Sequence, residues 1–283
     1  MPTGIAWTDE TWNPWQGCIR VSEECANCYM YREKERYGHN PAVVVRSSDQ
    51  TFRKPLRLKP GTTVFTCSWS DFFHADADAW RNEAWAIIKE CSSLKFIILT
   101  KRIDHAVHHL PEDWGNGYPN VCLGITAGNQ HRFDERWAVL REIPAAAYVV
   151  SHEPALGLID YPADFLSLGK RIGVIAGGET GPEARPAHLW WIRHDRDQCL
   201  KAGVPFFFKS WGQWVPGVRK DSIYHQLQTG QAVCPSAWKV HEWAAGGLSF
   251  FTGKSFPNND LLDGRQHTEM PEIAVVDPQL SLF

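Results

Sequence analysis

The chain contains the stretch Gly173-Val174-Ile175-Ala176-Gly177-Gly178-Glu179-Thr180, a short apolar run that ends in two glycines, a carboxylate and a hydroxyl group. Similar apolar runs recur, and they begin at intervals of 25 to 32 residues. The predicted strands are 64–67, 96–99, 121–125, 147–150, 173–176 and 205–208. Each interval accommodates a strand, a crossover helix and two loops, which predicts parallel βαβ units. The runs are apolar almost throughout, which indicates that both faces of the sheet are buried.

The segments between the predicted strands have helical periodicity. The apolar positions with this spacing are Trp80, Ala84, Ile87 and Cys91 in one segment, and Phe133, Trp137 and Leu140 in another. Pro186 is expected in the first turn of a later helix, because proline is favoured there, and Gly203 is expected to cap the C-terminus of that helix. Strands and helices therefore alternate along most of the chain.

The six predicted strands and an N-terminal element near residues 7–15 give six or seven βα units. This number favours an α/β fold with a partial or complete TIM-like (β/α)6-7 barrel of parallel strands, and an open doubly wound sheet is the alternative. The strand rhythm stops after Trp214. We therefore expect an α/β barrel with an N-terminal cysteine loop over 1–214, and a C-terminal extension that packs on the barrel over 215–283.

The charge balance excludes a generally cationic surface. Lys and Arg total 29, Asp and Glu total 32, and the formal net charge is -3. Any contact with nucleic acid must therefore be local. Residues 1–15 lack the basic and apolar segments of a secretory signal, and no apolar run approaches the roughly 20 residues of a membrane-spanning helix. These features predict a cytoplasmic protein without a membrane partner.

Polar residues follow each predicted strand. They are Ser68, Ser70, Asp71, Lys101, Thr126, Glu153, Gly177, Gly178, Glu179 and Lys209. The carboxyl ends of parallel strands meet at one face of a sheet, so we expect these residues to line one pocket. The two glycines let the backbone approach a ligand closely, and Glu179 can accept a hydrogen bond from an amine or a hydroxyl group. The alternative for each polar side chain is a helix cap or a surface ion pair.

A cysteine-rich loop is the most informative part of the sequence. Cys18, Cys25 and Cys28 form a C-x6-C-x2-C pattern with no fourth cysteine nearby. Thiolates bind zinc or iron–sulfur clusters. A structural zinc site has four protein ligands, whereas a [4Fe-4S] cluster held by three thiolates leaves one iron open to a cofactor or substrate. The missing fourth ligand favours the cluster, and zinc is the alternative. The other cysteines lie in apolar segments and are interpreted as buried thiols.

Residues 4–18 match a Gly-x-x-Trp-Thr-x-x-Thr-Trp-Asn-Pro motif followed by Gly-Cys. Through this motif the chain resembles the radical S-adenosylmethionine superfamily, and most closely a phage and prophage group within it. The resemblance continues in the same order over most of the chain, through segments 68–73, 99–102, 153–154, 177–186, 208–212 and 261–271. The chain departs from the superfamily in its cysteine spacing, because most members use C-x3-C-x2-C. Asn27 also replaces the usual aromatic residue, and Tyr29 follows the third cysteine.

The resemblance implies a [4Fe-4S] cluster on Cys18, Cys25 and Cys28, with S-adenosyl-L-methionine chelating the open iron. An electron from a flavodoxin- or ferredoxin-like donor then cleaves S-adenosylmethionine to methionine and a 5′-deoxyadenosyl radical. The radical abstracts hydrogen from a substrate that the barrel shields from water. The expected cofactor-binding residues are Tyr29, Ser68, Ser70, Asp71, Thr126, Glu153, Gly177, Gly178, Glu179 and Arg185. The expected catalytic residues are Lys101, Glu153 and Lys209.

The phage-like resemblance also implies a substrate class, since viruses hypermodify their DNA bases. We expect an isomerase- or lyase-type reaction on a modified nucleobase, in phage DNA or in its nucleotide, in the host cytoplasm. Segment 53–59 contains four Lys and Arg residues and no acidic residue, so it is a candidate phosphate-binding strip, or a solvated loop. The candidate base-stacking residues are Trp12, Trp15, Trp69, Trp211 and Trp214, for which core packing is the alternative.

Two other functions are compatible with the sequence. One is a zinc-stabilised nucleic-acid-binding module without catalysis. The other is a radical enzyme that acts on a peptide or a small metabolite. Brown, reducible protein after anaerobic purification would exclude the first alternative, and product analysis with candidate DNA, nucleoside and peptide substrates would separate the second from the nucleobase hypothesis.

Overall fold

The computed structural model describes residues 3–220, 223–227, 232–233, 239–252 and 258–275. The helices are α1 Tyr29–Arg36, α2 Asp49–Phe52, α3 Asp78–Glu90, α4 Ile103–Ala106, α5 Gln130–Leu140, α6 Ala163–Leu166 and α7 Leu189–Ala202. The strands are β1 Glu10–Trp12, β2 Trp15–Gln16, β3 Val45–Arg46, β4 Thr63–Thr66, β5 Lys95–Thr100, β6 Val121–Thr126, β7 Ala147–His152, β8 Ile172–Gly177, β9 Phe206–Ser210, β10 Trp214–Lys220, β11 Ile223–Gln226, β12 Ala232–Val233, β13 Lys239–Glu242 and β14 Leu248–Phe251. Short 3-10 helices span Glu23–Cys25, Lys54–Arg57, Ala75–Ala77 and Gly169–Arg171.

The principal sheet has seven strands in the order β1-β4-β5-β6-β7-β8-β9. The pairs β1 with β4, β4 with β5, β5 with β6, and β8 with β9 are parallel. The predicted α/β class is therefore confirmed, and all six predicted strands are present. The order follows the chain without the reversal that defines a doubly wound sheet, which supports a partial barrel. The more specific TIM-like (β/α)6-7 barrel remains a prediction.

The central strands explain why the sequence shows continuous apolar runs. Every residue of β6, β7 and β8 is buried. Side chains alternate between the two faces of a strand, so complete burial requires cover on both faces. Thr126, Ser151 and His152 are buried polar residues at the ends of these strands.

The predicted helices are present, with one correction at the start of α7. This helix begins at Leu189, so Pro186 precedes it and does not lie in its first turn. His188 is the N-cap residue instead, and its Nδ1 accepts a hydrogen bond from the backbone N–H of Trp190 at 3.1 Å. Gly203 caps the C-terminus with φ 70°, as expected of a left-handed glycine cap.

The chain divides into two compact units. The first unit comprises Met1–Thr126, Asp134–Val150 and Pro271–Phe283, and the second comprises Ala127–Phe133 and Ser151–Met270. Each unit has buried aromatic residues of its own, such as Trp85 in the first and Phe165 in the second. No described helix has the length and apolar character needed to cross a lipid bilayer.

The segment after Trp214 forms a five-stranded antiparallel sheet in the order β12-β11-β10-β14-β13. Residues 258–270 then return along β9 in the same unit, where Phe208 N donates to His267 O at 2.9 Å and Phe207 bridges Thr268. The sequence predicts an extension here and no particular structure for it, so the antiparallel strands are an addition to that prediction. The assignment of 215–283 to a separate domain remains a prediction.

Candidate functional site

The cysteine loop is fixed against the loop that follows β4, within the first unit. Gly17 N donates to Trp69 O at 3.0 Å, and Ser70 Oγ donates to Gly17 O at 2.5 Å. Gly17 has φ 103°, and a Cβ at this position would lie 2.2 Å from Val43 O. Glycine is therefore required immediately before Cys18, both for its backbone conformation and for space. The loop is thus held at the carboxyl end of a parallel strand.

The cysteines fall into two groups by exposure. Cys18, Cys25 and Cys28 are partly exposed, whereas the other described cysteines, Cys67, Cys91, Cys122 and Cys199, are buried. Burial raises the pKa of Cys91 to about 11 and raises the pKa of Cys67 well above its usual range. These neutral thiols behave as small apolar side chains, as predicted. Cys234 lies outside the described residues.

Cys18 contacts the guanidinium group of Arg102, which lies just after β5. Arg102 Nη1 donates to Cys18 Sγ at 3.4 Å, and Arg102 also donates to Ile19 O at 2.6 Å. Burial raises the pKa of Cys18 to about 11, the carboxylate of Asp71 also raises it, and Arg102 lowers it. A metal or cluster must therefore displace a proton from Cys18, and Arg102 favours the resulting thiolate. The sequence places Arg102 directly after a predicted strand but predicts no role for its side chain.

Asp71 lies beneath this contact and is buried. Its Oδ1 accepts from Thr100 Oγ1 at 2.6 Å and from Phe73 N at 3.0 Å. Its Oδ2 accepts from Lys101 N at 2.9 Å and lies 3.4 Å from Arg102 Nη1. Both oxygens are therefore used to join the ends of β4 and β5 and to orient Arg102. The predicted contact between Asp71 and S-adenosylmethionine remains a prediction.

The structure brings other predicted residues to the same loop. Tyr29 donates through its hydroxyl to Ser68 O, and Ser68 Oγ lies 3.0 Å from Asn13 Nδ2. Lys101 follows Thr100 and is partly exposed. Tyr29, Ser68, Ser70, Asp71 and Lys101 therefore lie near the cysteine loop.

Thr126 is connected to the cysteine loop through a buried ion pair. Arg136 donates to the backbone carbonyl of Thr126 and to Glu24 Oε1, the latter at 2.8 Å. The side chains of Arg136 and Glu24 are 4% and 0% exposed. A buried ion pair of this kind is costly to break, because loss of either partner leaves an unpaired charge in the interior. Glu24 precedes Cys25, so this pair fixes the turn that carries the second cysteine.

The second unit contains the remaining predicted residues, in two ion pairs. Lys209 pairs with Glu153, and Arg185 Nη2 lies 2.6 Å from Glu179 Oε1. Arg185 N and Nε also donate to Glu179 Oε2, at 2.8 and 2.9 Å. A ligand amine or carboxylate that binds at these positions would have to replace one partner of an existing ion pair. Gly177 packs beside Glu153, since a Cβ there would lie 3.4 Å from Glu153 Cγ.

The second unit contains a fully buried polar group for which the sequence predicts no role. His152 Nδ1 lies 2.6 Å from Asp195 Oδ2, and Tyr161 donates to Asp195 Oδ1 at 3.1 Å. His152 Nε2 has no partner among the described residues. Asp195 lies on α7, so this group joins the end of β7 to the helix. Its contacts support a packing role.

The candidate nucleic-acid-binding residues make contacts within the protein. Trp12, Trp15, Trp211 and Trp214 are buried, so core packing is the correct interpretation for them. Within segment 53–59, Arg53 Nη2 lies 3.0 Å from Glu83 Oε1, and Lys54 Nζ lies 2.7 Å from Glu10 Oε2. Acids elsewhere in the chain therefore neutralise part of the proposed phosphate-binding strip.

Comparisons with known proteins identify the family. No curated protein and no solved structure matches the chain. A family model described as "Protein of unknown function (DUF5131)" matches residues 2–271. Because this match spans nearly the whole sequence, the chain belongs to the DUF5131 family.

Proposed function

We propose that the chain is a radical S-adenosylmethionine enzyme whose [4Fe-4S] cluster is held by Cys18, Cys25 and Cys28. The observation that carries the proposal is the contrast between these three partly exposed thiols and the buried thiols of the other described cysteines. The three thiols lie on one loop, and that loop is hydrogen-bonded to the residues that follow β4 and β5. Parallel α/β proteins place their reactive groups at this edge.

The electrostatic surroundings of the loop fit a cluster with negatively charged ligands. Arg102 donates to Cys18 Sγ. Cys28 is the N-cap of α1, an eight-residue helix, so the positive end of the helix dipole lies at the third thiol. The donor set supplies three thiolates and leaves the fourth position for a chelating cofactor. When bound, the cluster supplies the electron that cleaves S-adenosylmethionine reductively.

The protein residues have separate tasks in this proposal. In the first unit, Asp71 orients Arg102, and Tyr29 holds the backbone of Ser68. Lys101 is the candidate there for a carboxylate or substrate anion. In the second unit, Glu153 and Glu179 are candidates for the amino or ribose groups of S-adenosylmethionine, and their partners Lys209 and Arg185 are candidates for a carboxylate or substrate anion. Glu153 and Lys209 also remain the expected catalytic residues of this unit.

The proposed substrate is a modified nucleobase, and this part rests on the phage-like resemblance. The net charge of -3 and the pairing of Arg53 and Lys54 with acids disfavour extended contact with duplex phosphates. A free nucleotide or a single flipped base fits these charges better than a long duplex. The reaction is an isomerase- or lyase-type rearrangement in the host cytoplasm, with electrons from a flavodoxin- or ferredoxin-like protein.

A substitution at the central cysteine tests the cluster assignment. We expect Cys25→Ala, purified anaerobically, to lose the brown colour and the release of 5′-deoxyadenosine, because two thiolates hold a cubane poorly. Cys91→Ala is the matched control, since this thiol is buried away from solvent and should leave both properties intact. The measurements are iron content, visible absorption and product chromatography. Colourless unaltered protein that binds zinc, with that zinc lost in Cys25→Ala, would instead establish the zinc-binding module.

The substrate class needs a separate experiment. The reduced protein is incubated with S-adenosylmethionine and with DNA that carries modified bases, the corresponding nucleotides, or peptides. We expect 5′-deoxyadenosine release to rise with the base-containing substrates, together with a mass change in the same molecule. A coupled mass change in peptide alone would overturn the nucleobase assignment and leave the cluster assignment standing.

A further inference from the structure

A second group of metal-ligand side chains lies in the first unit and does not include the cysteines. Asp78 is the first residue of α3, His105 lies in α4, and His109 lies in the turn that follows α4. One donor atom from each residue can be chosen so that all three lie within 4.8 Å of one another. The side chains are 42%, 27% and 27% exposed, so solvent reaches the group.

Each histidine nitrogen lies at a distance from the Asp78 carboxylate that two ligands of one ion can have. His105 Nε2 lies 3.2 Å from Asp78 Oδ1, and His109 Nε2 lies 3.2 Å from Asp78 Oδ2. Two ligands that are each about 2.0 Å from a tetrahedral ion lie about 3.3 Å apart. The two imidazole rings are stacked, with centroids 3.8 Å apart and an interplanar angle of 19°. Both rings therefore present their Nε2 atoms to the same carboxylate.

The hydrogen bond of His109 to a backbone carbonyl fixes which ring nitrogen faces Asp78. His109 Nδ1 lies 2.9 Å from the carbonyl oxygen of His105. A carbonyl oxygen only accepts hydrogen bonds, so Nδ1 carries the proton. Nε2 of the neutral ring then presents its lone pair on the side of Asp78, as the nitrogen of a metal-binding imidazole does.

The surrounding contacts fix the ligands in place. Trp85 Nε1, on the same helix as Asp78, donates to His109 O at 3.0 Å. The bond from His109 Nδ1 to a backbone carbonyl is the usual outer contact of a metal-binding histidine, because it fixes the ring and its tautomer. Arg81 pairs with Asp78 Oδ1 and also donates to Phe72 O and His74 O. Arg81 therefore orients the carboxylate, although its positive charge weakens the attraction for a dication.

We propose that Asp78, His105 and His109 form a binding site for a divalent transition-metal ion of the zinc class. Imidazole nitrogen and carboxylate oxygen are ligands that such ions accept, and two imidazoles favour them over Mg²⁺ or Ca²⁺. Three protein ligands leave a fourth position for water, as in open zinc sites. The site is independent of the cluster. It cross-links α3 to α4, the helix that begins immediately after Arg102.

Cobalt(II) is a suitable probe, because its visible spectrum reports coordination directly. The experiment uses the full chain with Cys18, Cys25 and Cys28 changed to Ser, so that loop thiolates do not bind the ion. We expect one Co²⁺ per chain, with visible d–d bands and without thiolate-to-cobalt charge-transfer absorption. Binding should be lost in the same chain carrying His105→Ala and His109→Ala. His108→Ala is the matched control, because His108 is exposed in the same turn and lies outside the three-residue group.

A thermal measurement keeps the proposal falsifiable if the double variant folds poorly. Zn²⁺ should raise the midpoint of thermal unfolding of the chain with the three cysteine substitutions, and of the same chain carrying His108→Ala, because an ion that binds the folded state stabilises it. Asp78→Asn should show a much smaller rise, since it keeps a similar shape but loses the anionic ligand. Failure of the chain with the three cysteine substitutions to bind Co²⁺, or equal binding when His105→Ala and His109→Ala are added, would overturn the site.

Discussion

At the scale of single residues, the contact among Cys18, Arg102 and Asp71 governs how readily a thiolate forms. Burial raises the pKa of Cys18 to about 11, Asp71 raises it, and Arg102 lowers it. The metal-free loop therefore holds a neutral thiol at neutral pH, and a bound metal replaces its proton. Arg102 is the side chain that favours this exchange, so its removal should be felt at Cys18.

We predict that Arg102→Leu raises the pKa of Cys18 further. The substitution removes a favourable charge and a hydrogen bond from the thiolate, and it leaves the carboxylate of Asp71 without its cation. A rise of one unit would lower the thiolate fraction, and hence the alkylation rate at pH 9, roughly tenfold. The measurement is the pH dependence of Cys18 alkylation in the metal-free chain, followed by peptide mass spectrometry.

Arg102→Lys is the control for this prediction. Lysine keeps the charge but lacks the planar guanidinium, so we expect a smaller upward shift in the alkylation midpoint. A midpoint that is unchanged or lower in Arg102→Leu would show that the guanidinium does not act on Cys18.

At the scale of elements, the two glycines at the end of β8, Gly177 and Gly178, differ in what they contact. A Cβ at Gly178 would lie 2.1 Å from Trp211 O, whereas a Cβ at Gly177 would lie no closer than 3.3 Å, from Ser210 O. Gly178 N also donates to Ser210 O at 2.8 Å. Gly178 is therefore required by the approach of the chain that follows β9, independently of any ligand. A methyl group at Gly177 requires the neighbouring chain to shift by only a few tenths of an ångström.

We predict that Gly178→Ala destabilises the fold strongly and that Gly177→Ala does not. The backbone around Trp211 must move to admit the first methyl group, which should cost about 2–3 kcal/mol in the free energy of unfolding. Gly177→Ala should change it by less than about 1 kcal/mol. Urea denaturation followed by tryptophan fluorescence measures both variants. Similar losses for the two would contradict the packing explanation.

The sequence predicted the parallel strands well because their burial leaves a simple signal. Residues covered on both faces are almost all apolar, so β6, β7 and β8 are visible as continuous runs. The antiparallel sheet was missed because β10 contains Pro216 and Gly217, which favour loops. In the structure Gly217 accommodates the ring of Phe250, since a Cβ there would lie 1.8 Å from Phe250 Cε2. Only tertiary packing shows this.

The candidate site was predictable in part for a similar reason. The three cysteines are close in sequence, so their spacing is informative without a structure. Arg102 lies 84 residues from Cys18, and local pattern cannot join the two. The pair His105 and His109 has the four-residue spacing typical of metal-binding histidines, which is a signal that sequence reasoning could have used. Asp78 completes that group only because α3 and α4 pack together.

At the scale of the whole molecule, residues 258–270 cover the edge strand β9 of the principal sheet. β9 is the last strand of the principal sheet and contains three consecutive phenylalanines, 206–208. Residues 258–270 cover it, since Glu269 N donates to Phe206 O at 3.2 Å and Trp211 Nε1 donates to Leu261 O at 3.0 Å. An uncovered apolar edge strand pairs readily with another chain. The small net charge gives little repulsion against such association.

We therefore predict that a chain ending at Thr252 self-associates, whereas a chain ending at Val275 behaves like the full-length protein. The shorter chain loses every described contact between 258–270 and β9, and it also loses the fully buried Leu262. The longer chain keeps all of these contacts, so it isolates the effect of the covering segment from that of shortening the chain. Size-exclusion chromatography with light scattering measures the association, and urea denaturation measures stability. If the chain ending at Thr252 is monomeric and has an unchanged denaturation midpoint, the prediction is wrong. β9 would then be stable and monomeric without the segment 258–270.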